Sequence, residues 1–175
     1  KTAYEITYGD WSSDVCSSDL VDHSAPCLLV ANQRGRENGM RLYLSQQDLE
    51  YLDYPDAHFD LIFFNFMLHE LPRSHTRALL AEACRVLKPG GLFAGHEFHL
   101  RPNDPFQNVL QRSHAYTNNE TYSIPWYDTD IVAIGREAGF AAVSIEPFAR
   151  LNRSVHRPGR APISANHWNL YQFRK

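Results

Sequence analysis

From Leu20 onward the apolar positions come in blocks of two kinds, compact runs of strand length and longer spans with helical spacing, separated by Gly, Pro and polar residues. Leu20-Val21-Asp22 reads as the tail of a buried strand. Ser24 followed by Ala25-Pro26 is an N-cap with Pro in the first turn, and it predicts a helix running to Asn38-Gly39. Arg41 to Ser45 alternates as a short strand, and Phe59 to Phe64 is an apolar run of strand length. Ser74 is placed to cap a helix from His75 to Leu87, whose Ala78, Leu79, Ala81, Cys84, Val86 and Leu87 give an apolar face. Lys88-Pro89-Gly90-Gly91 carries its stop signals. Leu92 to Phe98 is the next strand, a helix from Asp128 or Thr129 ends at Gly139, and Ala142 to Phe148 and His167 to Phe173 read as two further strands. This alternation predicts an α/β fold, a parallel-dominated sheet with helices on both faces and ligand bound beyond the carboxyl ends of the strands.

Composition narrows the class. The chain has 175 residues, 43% hydrophobic and 21% charged, enough for one core without a disulfide or metal staple. Cys16, Cys27 and Cys84 have no metal-ligand spacing, and an odd count fits a reducing interior, so a cytoplasmic location is expected. The longest apolar stretch, Leu61 to Leu68, is broken by Asn65 and too short to cross a bilayer, so no membrane partner is expected. The net charge of -3 hides an asymmetry: residues 1–148 carry eleven basic against twenty acidic residues, a balance of -9, while 149–175 hold six basic and no acidic ones. These arginines lack the aromatic interleaving of a nucleic-acid groove; a solvated loop is the better reading, and no nucleic acid is expected.

Residues 1–20 do not follow the pattern. Ser12-Ser13-Asp14 recurs as Ser17-Ser18-Asp19 within WSSDVCSSDL, with neither helical nor alternating periodicity. Residues 11–20 resemble translated sequencing-adapter DNA, of the kind found at faulty joins in metagenomic assemblies. The expected organisation is a non-native or disordered segment over 1–20 and one domain over 21–175.

Asp22, directly after the first strand remnant, is placed to accept hydrogen bonds from a ribose diol, and Asp48 after the SQQ segment is placed to meet an adenine; each also fits a cap or turn role. Two dipeptides stand out, His69-Glu70 beyond one strand and His96-Glu97 within or beyond the next. They lack the i, i+4 spacing of a metal motif, and no metal site is assigned. A His or Glu acting as general base, or polar residues orienting a loop, are the two remaining readings.

Taken as an ordered set, VDHSAP, SQQD, PDAHFDLIFFNFMLHELP and RVLKPGG resemble the class I S-adenosylmethionine-dependent methyltransferases, with a looser match at GREAGF and the last strands. The resemblance implies a Rossmann-like sheet with an antiparallel last strand, S-adenosylmethionine as cofactor, and methyl transfer to an O, N or C nucleophile of a small organic molecule. It implies that Asp22 and His23 border the ribose, that Asp48 and Leu49 flank the adenine, and that Asn65, Phe66 and Leu68 border the methionine portion. His69 and Glu70 are then the candidate catalytic residues. The long 101–127 connection reads as a substrate lid, with His114, Tyr116, Tyr122 and Trp126 as acceptor contacts, or as aromatics that pack the lid on the sheet or form a dimer contact. One departure stands out. The family's glycine-rich turn, with its first strand and helix, has no counterpart upstream of Asp22, so the alternative is a truncated or chimeric non-catalytic relative that binds cofactor weakly or not at all. A dehydrogenase is disfavoured, since neither GxGxxG nor a P-loop occurs.

Overall fold

The computed structural model describes residues 18–98, 105–147 and 168–175. The chain divides into two compact units, Lys1–Asp53 and Tyr54–Lys175. In the first, β1 (Ser18–Asp22) and β2 (Leu42–Gln46) pair in parallel, Ser18 opposite Leu42 and Asp22 opposite Gln46. Parallel neighbours need a crossover, and α1 (Ala25–Glu37) supplies it. The Ser24 hydroxyl accepts from the Cys27 N–H at 3.4 Å, and Gly39 leaves the helix at φ 67°. β1 takes in Ser18, Asp19 and Leu20, so the strand starts before the boundary that the apolar pattern suggests; ladder hydrogen bonds are made by the backbone whatever the side chain. The rest of the 1–20 segment lies outside the described residues.

The second unit is a four-stranded mixed sheet in the order β3-β4-β6-β5, made of β3 (Phe59–Asn65), β4 (Leu87–Phe98), β5 (Ala142–Pro147) and β6 (Trp168–Arg174). β3 and β4 are parallel, while β6 runs antiparallel to both β4 and β5. Around them lie α2 (Arg73–Val86), α3 (Pro105–Thr117), α4 (Ser123–Tyr127) and α5 (Ile131–Glu137). On one face the aromatic core closes: Phe64 stacks on Phe93 at 4.6 Å, and Phe173 meets Phe93 at 5.5 Å and Phe140 at 5.4 Å. Gly95 is required there, because a Cβ on it would overlap the Phe64 carbonyl oxygen and ring.

Several local expectations are corrected. Pro72, not Ser74, precedes the first turn of α2, which starts at Arg73. Leu87 is already extended, and Lys88-Pro89-Gly90-Gly91 forms an irregular stretch inside β4, with a register shift between Phe59 and Leu61 on the partner strand. Gly90, at φ 78°, donates to the Lys175 carbonyl, and Lys175 Nζ reaches back to the Leu87 carbonyl at 2.7 Å. The 101–127 connection is largely helical over its described part, as α3 and α4. Phe148 and His167, expected at strand ends, lie outside the described residues, as do most of the basic arginines. Among the described residues, no helix is long and apolar enough to cross a membrane.

The quoted motifs have a physical meaning in this unit. PDAHFD and RVLK form two sides of one corner. Arg85 binds Glu82 through two nitrogens at 2.6 and 2.8 Å and Asp56 at 2.7 Å, and Lys88 pairs with Asp60 at 2.7 Å. The His58 N–H donates to the Val86 carbonyl at 2.7 Å. The corner fixes where β3 begins beside β4.

Candidate active site

β3 ends at Asn65, and the backbone turns at once. Phe66 sits at φ 50°, a left-handed conformation that costs a non-glycine residue about 1–2 kcal/mol. It is held by its N–H to the His96 carbonyl at 2.9 Å and by stacking of its ring on Phe98 at 4.9 Å. The bend leads into a single 3-10 turn, Leu68–Glu70, that lies over the carboxyl end of β4. Here Glu97, fully buried, becomes the organising group. One carboxylate oxygen accepts from the Leu68 N–H at 2.8 Å and the His69 N–H at 3.3 Å; the other accepts from the Phe98 N–H at 2.7 Å and lies 2.6 Å from His69 Nδ1. A carboxylate in this position would be costly without such partners, and four of them converge on it.

His69 is 4% exposed and Glu70 lies 3.3 Å from its Nε2, 59% exposed. Burial acts to lower the His69 pKa, but the hydrogen bond and charge of Glu97, with Glu70 and Glu120 adding charge, outweigh it and raise the ring above its usual 6.5. His69, Glu70 and Glu97 therefore converge. His96 does not join them: strand alternation puts it on the opposite face from Glu97, edge-on to Phe63 at 6.0 Å, where burial lowers its pKa.

The helical connection borders the same strand end. Trp126, 5% exposed, donates its indole N–H to the Phe98 carbonyl at 2.9 Å, which makes it a packing residue. Burial raises the phenol pKa of Tyr127 and carries that of Tyr171 well above the ordinary phenol range, and Tyr171 also donates to the Phe98 carbonyl at 3.3 Å. Glu120 accepts from the Ser123 hydroxyl at 2.9 Å and pairs with exposed His114 at 3.5 Å. Tyr116 and Tyr122 are 86% and 40% exposed. Asn169 stands opposite Glu97 in the β4–β6 register, 4% exposed, with an amide nitrogen that has no hydrogen-bond partner among the described residues.

In the first unit, half-buried Asp22 ends β1 and accepts the Ser24 N–H at 2.7 Å, which ties its carboxylate to the first turn of α1. The His23 carbonyl accepts from the Gln46 amide at 3.0 Å. Asp48 is exposed and closes a turn by accepting the Glu50 N–H at 3.0 Å, with half-buried Leu49 inside that turn. A carboxylate at the carboxyl end of a parallel strand is chemically suited to accept from a ribose diol. Sequence reasoning noted Glu97 in the His96-Glu97 dipeptide without assigning it a specific role, and gave Asn169 none. Glu97 was legible as a charge inside the apolar strand Leu92–Phe98; Asn169 carried no comparable signal.

The comparisons agree with this architecture. A family model described as a methyltransferase domain matches residues 10–91. The ubiquinone/menaquinone biosynthesis C-methyltransferase of Laribacter hongkongensis is 40% identical over 79 residues, covering 45% of this chain and 32% of that protein. The Chromobacterium violaceum protein of the same description is 38% identical over 89 residues, with 50% and 36% covered. The chain thus spans about a third of the length of these curated relatives. Among solved structures, a SAM-dependent methyltransferase from Methanosarcina mazei matches with a TM-score of 0.63 at 14% identity over 91% of this chain and 82% of that one. An O-methyltransferase family protein from Burkholderia thailandensis matches with the same score at 15% identity, covering 91% and 43%. The fold is the Rossmann-like one of the class I methyltransferases, and residues 10–91 are similar to a methyltransferase domain.

Proposed function

We propose that the chain carries S-adenosylmethionine-dependent methyl transfer to an O, N or C nucleophile of a small organic acceptor, with His69 and Glu70 handling the acceptor's proton. The observation that carries this reading is the His69 ring, buried at the carboxyl end of the parallel pair β3–β4 and braced between Glu97 and Glu70. Bound S-adenosylmethionine supplies a methyl already activated on a sulfonium. The protein's part is to align the acceptor, exclude water and accept a proton. By the family resemblance, Asp22 and His23 are the ribose candidates and Asp48 and Leu49 the adenine candidates within the first unit, and Asn65, Phe66 and Leu68 are the methionine-side candidates within the second. His114, Tyr116 and Tyr122, exposed along the 101–127 connection, contact the acceptor. The curated relatives are named for C-methylation in quinone biosynthesis, which supports an aromatic or enolic small molecule as acceptor class.

Calorimetric titration of S-adenosylmethionine into the full chain and its Asp22→Ala variant tests the cofactor side. Affinity is expected to fall by about 5- to 150-fold, the equivalent of about 1–3 kcal/mol for unmet buried partners. Equal affinity in the two proteins removes Asp22 from the site. Absence of saturable binding by the parent supports the non-catalytic alternative.

A further inference from the structure

Glu97 sits one residue beyond His96 on a strand whose other inward residues are apolar, and its side chain is completely inaccessible. Such a group needs a purpose beyond packing, because an apolar residue of similar size would cost less to bury. Its contacts give one. Three of its four partners are backbone N–H groups of Leu68, His69 and Phe98, so the carboxylate is fixed to the main chain on both sides of the turn before it touches a side chain. The fourth partner is His69 Nδ1 at 2.6 Å. An ionised Glu97 offers only acceptor oxygens; Nδ1 then carries a proton, and the proton on Nε2 is the one that comes and goes.

We infer that Glu97 is a positioning residue: it holds the His69 ring with its proton on Nδ1, so that Nε2 is the proton-accepting atom and Glu70 the carboxylate that carries the proton outward. The inference rests on the proposed function only for the origin of that proton. Methylation of an acceptor X–H releases one proton; it moves to Nε2, giving the imidazolium, then to Glu70 and to water, and no oxidant or reductant is involved. In the cationic ring both N–H groups face a carboxylate, Glu97 on one side and Glu70 on the other. In the neutral ring only Nδ1–H does, and exposed Glu70 turns toward solvent. The charged groups that face the ring are Glu97 from β4, Glu70 from its own turn and Glu120 from the segment between α3 and α4, with His114 paired to Glu120. Their net effect favours the cation, in the same direction as the geometry.

The decisive measurement is long-range proton–nitrogen NMR of the histidine rings in the full chain, followed across pH, in the parent and in Glu97→Gln and Glu70→Gln. The expected parent signal above the ring's titration is the Nδ1–H tautomer, the minor form of free histidine. Glu97→Gln is expected to lower the His69 midpoint by about one unit or more, as loss of an adjacent charge does, and Glu70→Gln by less. An Nε2–H tautomer in the parent, or an unmoved midpoint in Glu97→Gln, overturns the inference; the parent tautomer decides even if that variant fails to fold. Turnover of His69→Ala separates the two readings. Unchanged turnover with an Nδ1–H parent removes the proposed base and leaves the Glu97 bracing intact, whereas lost turnover with an Nε2–H parent keeps the base and removes Glu97 as its positioner.

Discussion

His69 links protonation to folding. Its pKa in the folded chain lies above the 6.5 of an unstructured histidine, so the folded state binds the proton more tightly. The stabilisation this gives is present in full below pH 6.5 and fades as pH rises through the raised folded value. Each unit of separation is worth about 1.4 kcal/mol. Thermal unfolding of parent and His69→Gln between pH 5 and 9 is expected to show the gap between them narrowing with rising pH. A gap that widens contradicts the assignment. Activity runs in the opposite sense, since a base must be neutral to accept a proton, and turnover is expected to rise with pH across the same range.

At the scale of elements, the close approach of β3 to β4 is set by Gly95. A methyl group there meets the Phe64 carbonyl, which is backbone and cannot swing aside. Gly95→Ala is expected to destabilise by about 3 kcal/mol or more, at the upper end of overpacking costs, read as a lower denaturant midpoint. Gly39, with open space around its Cβ position but φ 67°, is expected to cost only about 1 kcal/mol on the same change. These elements differ in how legible they were. The helix after Ser24 announced itself through a cap, a proline and a terminal glycine, all local signals. The start of α2 did not, since Ser74 looked like a cap while the backbone turns at Pro72 to accept from Thr76. Lys88 to Gly91 misled for a related reason: Pro and Gly signal a stop, but pairing of the flanking Leu87 and Leu92 with β3 and hydrogen bonds of Gly90 and Gly91 to Lys175 absorb them into β4, and such partners are remote in sequence. In the site, the His69-Glu70 dipeptide was visible, whereas the partnership of His69 with Glu97 spans 28 residues and needed the parallel pairing of β3 and β4 to form.

At the scale of the whole molecule, the two units differ in how much core each owns. Tyr54–Lys175 buries Phe64, Leu80, Phe93, Phe140, Tyr171 and Phe173. Among the described residues of Lys1–Asp53, Leu28 is buried, Leu20, Leu29 and Val30 are 39%, 69% and 50% exposed, and two strands pair. Two strands and one helix are marginal by themselves. A fragment of residues 54–175 is expected to unfold cooperatively in a thermal scan, and a fragment of residues 18–53 to give the circular dichroism of a largely unstructured peptide. A cooperative transition in the shorter fragment would show that its core is sufficient.

The order β3-β4-β6-β5 also sets a schedule. β5 is made before β6 but pairs with β4 only through it, so during synthesis β5 must wait without a ladder partner. When β6 leaves the ribosome it completes two ladders at once, bringing Tyr171 and Phe173 into the sheet in a single insertion. Until that moment the nascent chain offers a pairing edge on β4 to any passing strand, and a chaperone that shields that edge would act on the yield of this protein more than on its final stability.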